Sequence, residues 1–155
     1  MSVGQSARCA DECDVPQSGE TGVVPIKSEV MVGSSATEKV RVVVGDDHAI
    51  TFLGPTGPRV LSTPRMIGFM ERTCRDLVLD MLDAGQDTVG THVNVYHRKA
   101  APMGATVTFR AELMAVNDRR VQFDVRALMG ETVVGEGTHE RAIIEVKRFG
   151  ERLGS

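Results

Sequence analysis

The chain has 155 residues, of which 41% are hydrophobic and 25% charged, and its net charge is −3. That is enough for one domain with a substantial core. It offers no basic stripe for nucleic acid and no apolar run long enough to span a bilayer. One Tyr and no Trp leave little to stack on bases. The N-terminus lacks a charged-then-apolar signal pattern, so the expected location is the cytoplasm. The three cysteines are Cys9, Cys13 and Cys74. An odd count without a secretion signal argues against a disulfide framework. Cys9 and Cys13 have no neighbouring ligands to complete a metal set, so no metal is expected.

In chain order, residues 1–37 read as a polar leader, rich in Gly, Ser, Asp, Glu and Gln, and flexibility is its default. A domain at 38–149 follows, then a short polar tail at 150–155. The run KVRVVV (39–44) is β-branched and predicts the first strand. Turn residues Gly45-Asp46-Asp47-His48 and a short apolar segment come next. Gly54-Pro55-Thr56-Gly57-Pro58 breaks the chain before a helix. Such a loop serves either as a lid over a pocket or as a plain connector.

The spacing predicts a helix over 64–82, with Thr63 as its N-cap and Pro64 as its first residue. At about 100° per residue, Met66, Ile67, Met70, Cys74, Leu77, Val78, Met81 and Leu82 share one side. Glu71 falls inside that arc. A carboxylate there needs a hydrogen bond, a partner or a shifted pKa. The free N–H groups of the first turn, beside Thr63, suit a developing negative oxygen. The plainer reading is open too: Thr63 as a cap only, Glu71 as a buried acid paired with an Arg.

Asp83-Ala84-Gly85-Gln86-Asp87 ends the helix. Four strands are expected beyond it, at 89–100, 106–116, 121–127 and 132–147. In the first, period two puts Thr91, Val93, Val95 and His97 on the helix side, and His92, Asn94, Tyr96 and Arg98 on the other. A core-facing His is usually a satisfied core residue. Beside Glu71 and a helix start, His97 also fits an acid–imidazole–oxyanion-donor constellation. His92 and His97 face opposite ways and make a poor metal pair. Val107, Phe109, Ala111 and Leu113, then Val121, Phe123, Val125 and Ala127, alternate with polar residues, so one sheet face is wet. Gly135 and Gly137 suggest a bulge or a close approach in the last strand. Tight turns imply antiparallel neighbours and a four-strand meander. The fold class is α+β, an antiparallel sheet of about five strands around one long helix. One helix covers one face only, so a second copy is expected, as a two-fold dimer or a dimer of dimers.

The segments STPRMIGFMER, GTHVNVYHRKAAPMG and GEGTHERAII, in that order, resemble the hotdog-fold thioesterase family typified by the fluoroacetyl-CoA thioesterase. The resemblance covers about 39–149. It implies an acyl-CoA thioesterase with a Thr63/Glu71/His97 catalytic set and substrate contacts from Gly90 and Arg141. It implies no metal or organic cofactor, with coenzyme A as part of the substrate. Arg98, Lys99, Arg119 and Arg120 are candidate partners for its phosphates, or simply solvated charge. The loop GPTGPRVLS before Thr63 has no aromatic from which to build a tight lid. Two alternatives share the fold: a hydratase or dehydratase, and a non-catalytic acyl-CoA-binding or regulatory protein that binds an acyl-CoA or a partner protein without turnover. The latter has no need of an acid at Glu71.

Overall fold

The computed structural model describes residues 35–154, with side chains from Val40 onward. Cys9, Cys13 and nearly all of the expected leader lie outside the described residues. The elements run β1 (Ser35–Val43), α1 (Thr63–Leu79), β2 (Gln86–His97), β3 (Thr106–Asn117), β4 (Arg120–Met129), β5 (Thr132–Glu145) and α2 (Val146–Leu153). β1 thus begins inside the segment read as leader. Among the described residues, no helix is long and apolar enough to cross a membrane.

All five strands form one antiparallel sheet in the order β1-β3-β4-β5-β2. The expected four-strand meander is corrected to three, β3-β4-β5. β2 lies at the far edge, paired with β5, and β1 takes the place beside β3. The physical reason is the connection at 98–105, which is too long for a tight hairpin. It crosses instead beside the segment before α1, where Leu61 N–H donates to Ala101 O at 2.8 Å and Val60 bridges Pro102.

Alternation builds the core. Val107, Phe109, Ala111 and Leu113 of β3 are buried, as are Val121, Phe123, Val125 and Ala127 of β4. Arg110, Glu112, Asp124 and Arg126 stay exposed on the outer face. The tight turn between them needs a left-handed residue, and Asp118 takes φ 55°, which its short polar side chain tolerates.

The buried stripe of α1 is Met66, Met70, Thr73, Cys74, Leu77 and Val78. It is rotated slightly from the expected arc. Thr73 is inside because its hydroxyl donates to Phe69 O at 2.8 Å. Ile67 and Glu71, one turn apart, run along the flank and remain half-buried. The helix ends at Leu79 rather than 82 because the chain tightens there, with Met81 N–H donating to Val78 O at 2.9 Å. A two-pronged pair, Arg75 to Asp87 at 2.8 and 2.6 Å, fixes α1 to the start of β2. The Arg75 guanidinium holds the Asp87 carboxyl below its ordinary value.

The last strand stops at Glu145, and residues 150–153 of the expected polar tail are part of α2. Val146, Phe149 and Leu153 have helical spacing there, a signal passed over because the segment is so polar. Gly135 and Gly137 mark close approaches. A Cβ on Gly135 would meet Met66 Sδ at 2.4 Å, and one on Gly137 would meet Asn94 O at 2.1 Å.

The Gly137 clash is with backbone, which cannot swing aside. Gly137→Ala is therefore expected to force β2 off β5 and to lower stability by about 1–3 kcal/mol, the usual cost of overpacking. The urea unfolding midpoint checks this.

Candidate active site

Two separate groups of polar side chains flank α1. The first is at its N-terminus. Ser62, not Thr63, is the N-cap: Arg65 N–H donates to Ser62 Oγ at 3.4 Å. Thr63 becomes the first helical residue, which frees its hydroxyl. Thr63 Oγ1 lies 2.8 Å from His97 Nδ1, at the end of β2. Pro64 has no N–H, and that of Arg65 is taken by the cap. The donors expected from the first turn thus reduce to the Thr63 main-chain N–H and hydroxyl.

His97 faces the helix side of the sheet, as period two requires. Its Nε2 is buried without a hydrogen-bond partner. Burial pushes its pKa below the ordinary value, partly opposed by the Lys99 backbone. Neutral imidazole in either tautomer serves Thr63 through one nitrogen and leaves the other for an incoming group. A cleft of about 300 Å³ opens here, lined by Val60, Thr63, His97, Arg98, Lys99 and Ala100. Arg98 stacks over Tyr96 at 4.5 Å and bonds Glu136 at 3.1 Å. Arg119 and Arg120 belong to the other end of the sheet: Arg120 pairs with Ala142, whereas His97 pairs with Gly135. The four basic residues therefore form no single patch within one chain. The aromatic nearest in sequence to the lid-like loop is Phe52, which is 80% exposed.

The second group surrounds Glu71. Its side chain is 40% exposed and sits at the edge of the core rather than inside it. Glu71 Oε1 lies 3.6 Å from Arg141 Nη1 and 3.7 Å from His139 Nε2. Arg141 is itself buried. Its Nε donates to Thr88 Oγ1 at 2.8 Å and its Nη2 to Thr88 O at 2.7 Å. Burial lowers its pKa, and Glu71 opposes the shift. Gly90 gives Glu71 its space: a Cβ there would lie 2.3 Å from Glu71 Oε1 and 3.2 Å from His139 Cε1. A bulge at Thr91 follows at once, between the pairs Gly90–Arg141 and His92–Glu140.

Five residues singled out from the sequence thus divide. Thr63 and His97 meet directly, as do Glu71, Gly90 and Arg141. The two groups do not meet within one chain. Eight residues of helix separate Thr63 from Glu71, roughly 12 Å at 1.5 Å per residue. The sequence reading passed over His139. Its signal was the alternation in β5, where 135, 137, 139 and 141 share the face that looks at α1. Cys74, also near Arg141, is no nucleophile here, since burial pushes its thiol up to about 12. Among the described residues, no three His, Cys, Asp or Glu cluster to hold a metal.

Solved structures share this architecture. The fluoroacetyl-CoA thioesterase FlK superposes with a TM-score of 0.72 at 35% identity, covering 79% of this chain and 94% of that one. A thioesterase superfamily member from Thermus thermophilus gives 0.72 at 27% identity, covering 83% and 91%. The class is that of the hotdog-fold thioester hydrolases. Residues 43–147 match the family model described as fluoroacetyl-CoA-specific thioesterase, FlK. The fluoroacetyl-CoA thioesterase of Streptantibioticus cattleyicolor is 40% identical over 96 residues, 62% of this chain and 69% of that protein. The chain belongs to this family.

Gly90→Ala separates positioning from folding. Its Cβ displaces the tip of the flexible Glu71 side chain and presses on the buried His139 ring at 3.2 Å, so a stability loss of about 1 kcal/mol is expected, the low end for overpacking. Glu71 must leave its place, and kcat on any thioester the protein turns over is expected to fall about 100-fold. Thermal melts and initial rates on the same preparation check both halves.

Proposed function

We propose that the protein hydrolyses an acyl-CoA thioester to a carboxylic acid and free coenzyme A, using Thr63, Glu71 and His97. The observation that carries this is the Thr63–His97 hydrogen bond at a helix start, on the same helix as a carboxylate held by Arg141. The Thr63 hydroxyl and main-chain N–H would stabilise the developing oxyanion, a contribution of about 3 kcal/mol for a well-placed donor. Glu71 would either attack the acyl carbon or take a proton from the attacking water. His97 would take a proton from the attacking water, directly or by way of Glu71, and pass one to the departing thiolate. Oxygen from water ends in the acid, and the carbon–sulfur bond is the one that breaks. The route uses only side chains and main-chain donors, with no metal or organic cofactor. Family membership supports an acyl-CoA substrate; the acyl group is the variable to measure.

This reading extends to a homodimer, which supplies what one chain lacks. Gly90 to Asn94 are exposed one after another on the edge strand β2. Val93 is 39% exposed although it faces the helix side. An unprotected edge of this kind invites pairing. A two-fold axis between Val93 and Asn94 would set Gly90 of one copy opposite His97 of the other. Glu71 of the first copy would then approach the Thr63–His97 pair of the second, closing the roughly 12 Å gap along the helix.

Two experiments test these statements. Thiol release is followed across short, branched, aromatic and long acyl-CoAs, beside Glu71→Gln. Wild type is expected to release CoA and the variant to lose at least about 100-fold while melting normally. Binding of the esters with no release from any would favour a binding protein instead. For the shared site, inactive Glu71→Gln and His97→Gln are mixed under exchange conditions. Each mixed dimer keeps one intact site, so activity is expected to return; a mixture as dead as its components contradicts the shared site.

A further inference from the structure

We propose that His139 is a positioning residue for the Glu71 carboxylate: as a neutral hydrogen-bond acceptor, it holds the Arg141 guanidinium beneath Glu71. The role in turnover rests on the thioesterase reading above; the protonation of the ring does not.

The hydrogen bonds define the ring's state. His139 is 1% exposed, and its ring stacks on Phe123 of β4 at 6.5 Å. Its Nδ1 lies 2.8 Å from His92 O. A carbonyl only accepts, so Nδ1 carries the proton. Its Nε2 lies 3.2 Å from Arg141 Nη1. A guanidinium only donates, so Nε2 must present its lone pair. One species satisfies both contacts, the neutral imidazole protonated on Nδ1. A protonated ring would set N–H against N–H. The surroundings agree: burial lowers the His139 pKa most, the His92 carbonyl raises it, Arg141 lowers it, Glu71 raises it and His92 lowers it slightly, with a net shift down.

The 3.7 Å contact between His139 Nε2 and Glu71 Oε1 is therefore no ion pair. It brings two lone pairs together, and the attraction on Glu71 comes from Arg141. Three of the Arg141 contacts converge on Nη1: His139 Nε2 at 3.2 Å, Glu71 O at 3.5 Å and Glu71 Oε1 at 3.6 Å. The contact with His139 is the shortest. Thr88 holds the other side of the guanidinium. Without an acceptor at position 139, Nη1 has its main tether removed, and the charge under Glu71 is free to shift. The absence of a side chain at Gly90 serves the same end from the opposite wall, since a Cβ there would strike both Glu71 and His139.

The test has two independent readouts on the full chain. Long-range proton–nitrogen NMR of the histidine rings at neutral pH is expected to show His139 neutral, with its proton on Nδ1. A proton on Nε2, or a doubly protonated ring at that pH, would overturn the inference even if the protein proved to have no thioesterase activity. In turnover, His139→Gln keeps an acceptor for Arg141 and His139→Phe removes it. We expect His139→Gln to retain most of kcat, with an unchanged pH profile. His139→Phe is expected to lose about 10- to 100-fold in kcat with little change in KM. A folded His139→Phe with wild-type kcat, or a limb of the pH profile missing from His139→Gln, would refute the positioning role. If His139→Phe does not fold, the NMR result and the His139→Gln profile still decide it. Wild type inactive on every ester would count against the thioesterase reading and leave the ring's state to the NMR.

Discussion

A guanidinium buried beside a carboxylate is the constraint on which this site depends. Arg141 cannot shed its charge, so every donor must find an acceptor inside the protein. Thr88 supplies two, one from its side chain and one from its backbone. Those bonds cross from β5 to β2 and reinforce the edge pairing. The main chain of Glu71 and the ring of His139 take the remaining direction. The helix, the last strand and the edge strand therefore meet at one cation. Glu71 gains a fixed partner without being sealed from solvent.

The helix start obeys a different logic. A one-residue shift of the cap, from Thr63 to Ser62, changes what the end can do. Had Thr63 capped the helix, its hydroxyl would have been spent on backbone N–H groups. With Ser62 in that place, the hydroxyl turns to His97. Pro64 removes one further donor and fixes the first turn. The result is a short, specific set of donors next to an imidazole that burial keeps neutral. It is not a general anion-binding helix end.

Much of this was legible in the sequence. Period two in β3 and β4 correctly divided buried from exposed residues, because each strand has one wet face. Helical spacing found Glu71 and strand spacing found His97, since each breaks the polarity of its own face. The edge position of β2 was not legible. It depends on where the 98–105 connection crosses, and local pattern carries no information about that. The cap was misplaced by one residue because Ser62 and Thr63 are equally good caps and only packing distinguishes them. His139 was missed because two glycines precede it on its face of β5, leaving no apolar alternation to make a histidine conspicuous. Its role also depends on Arg141 and His92, which come together only in three dimensions. The short α2 was hidden by its charge.

Cys74 and Glu71 show how burial selects the chemistry. They lie three residues apart on one helix, and both feel Arg141. A thiolate is intrinsically the better nucleophile. Yet Cys74 is fully buried, and desolvation outweighs the nearby cation, which leaves the thiol protonated at any ordinary pH. Glu71 lies on the flank of the same stripe, 40% exposed. Its neighbours at that depth are the edge of β2 and the room left by Gly90. Of these two acids, the one open to solvent along this face is therefore the carboxylate. The rotation of α1 that buries Thr73 is also what turns Glu71 towards the open edge of the sheet.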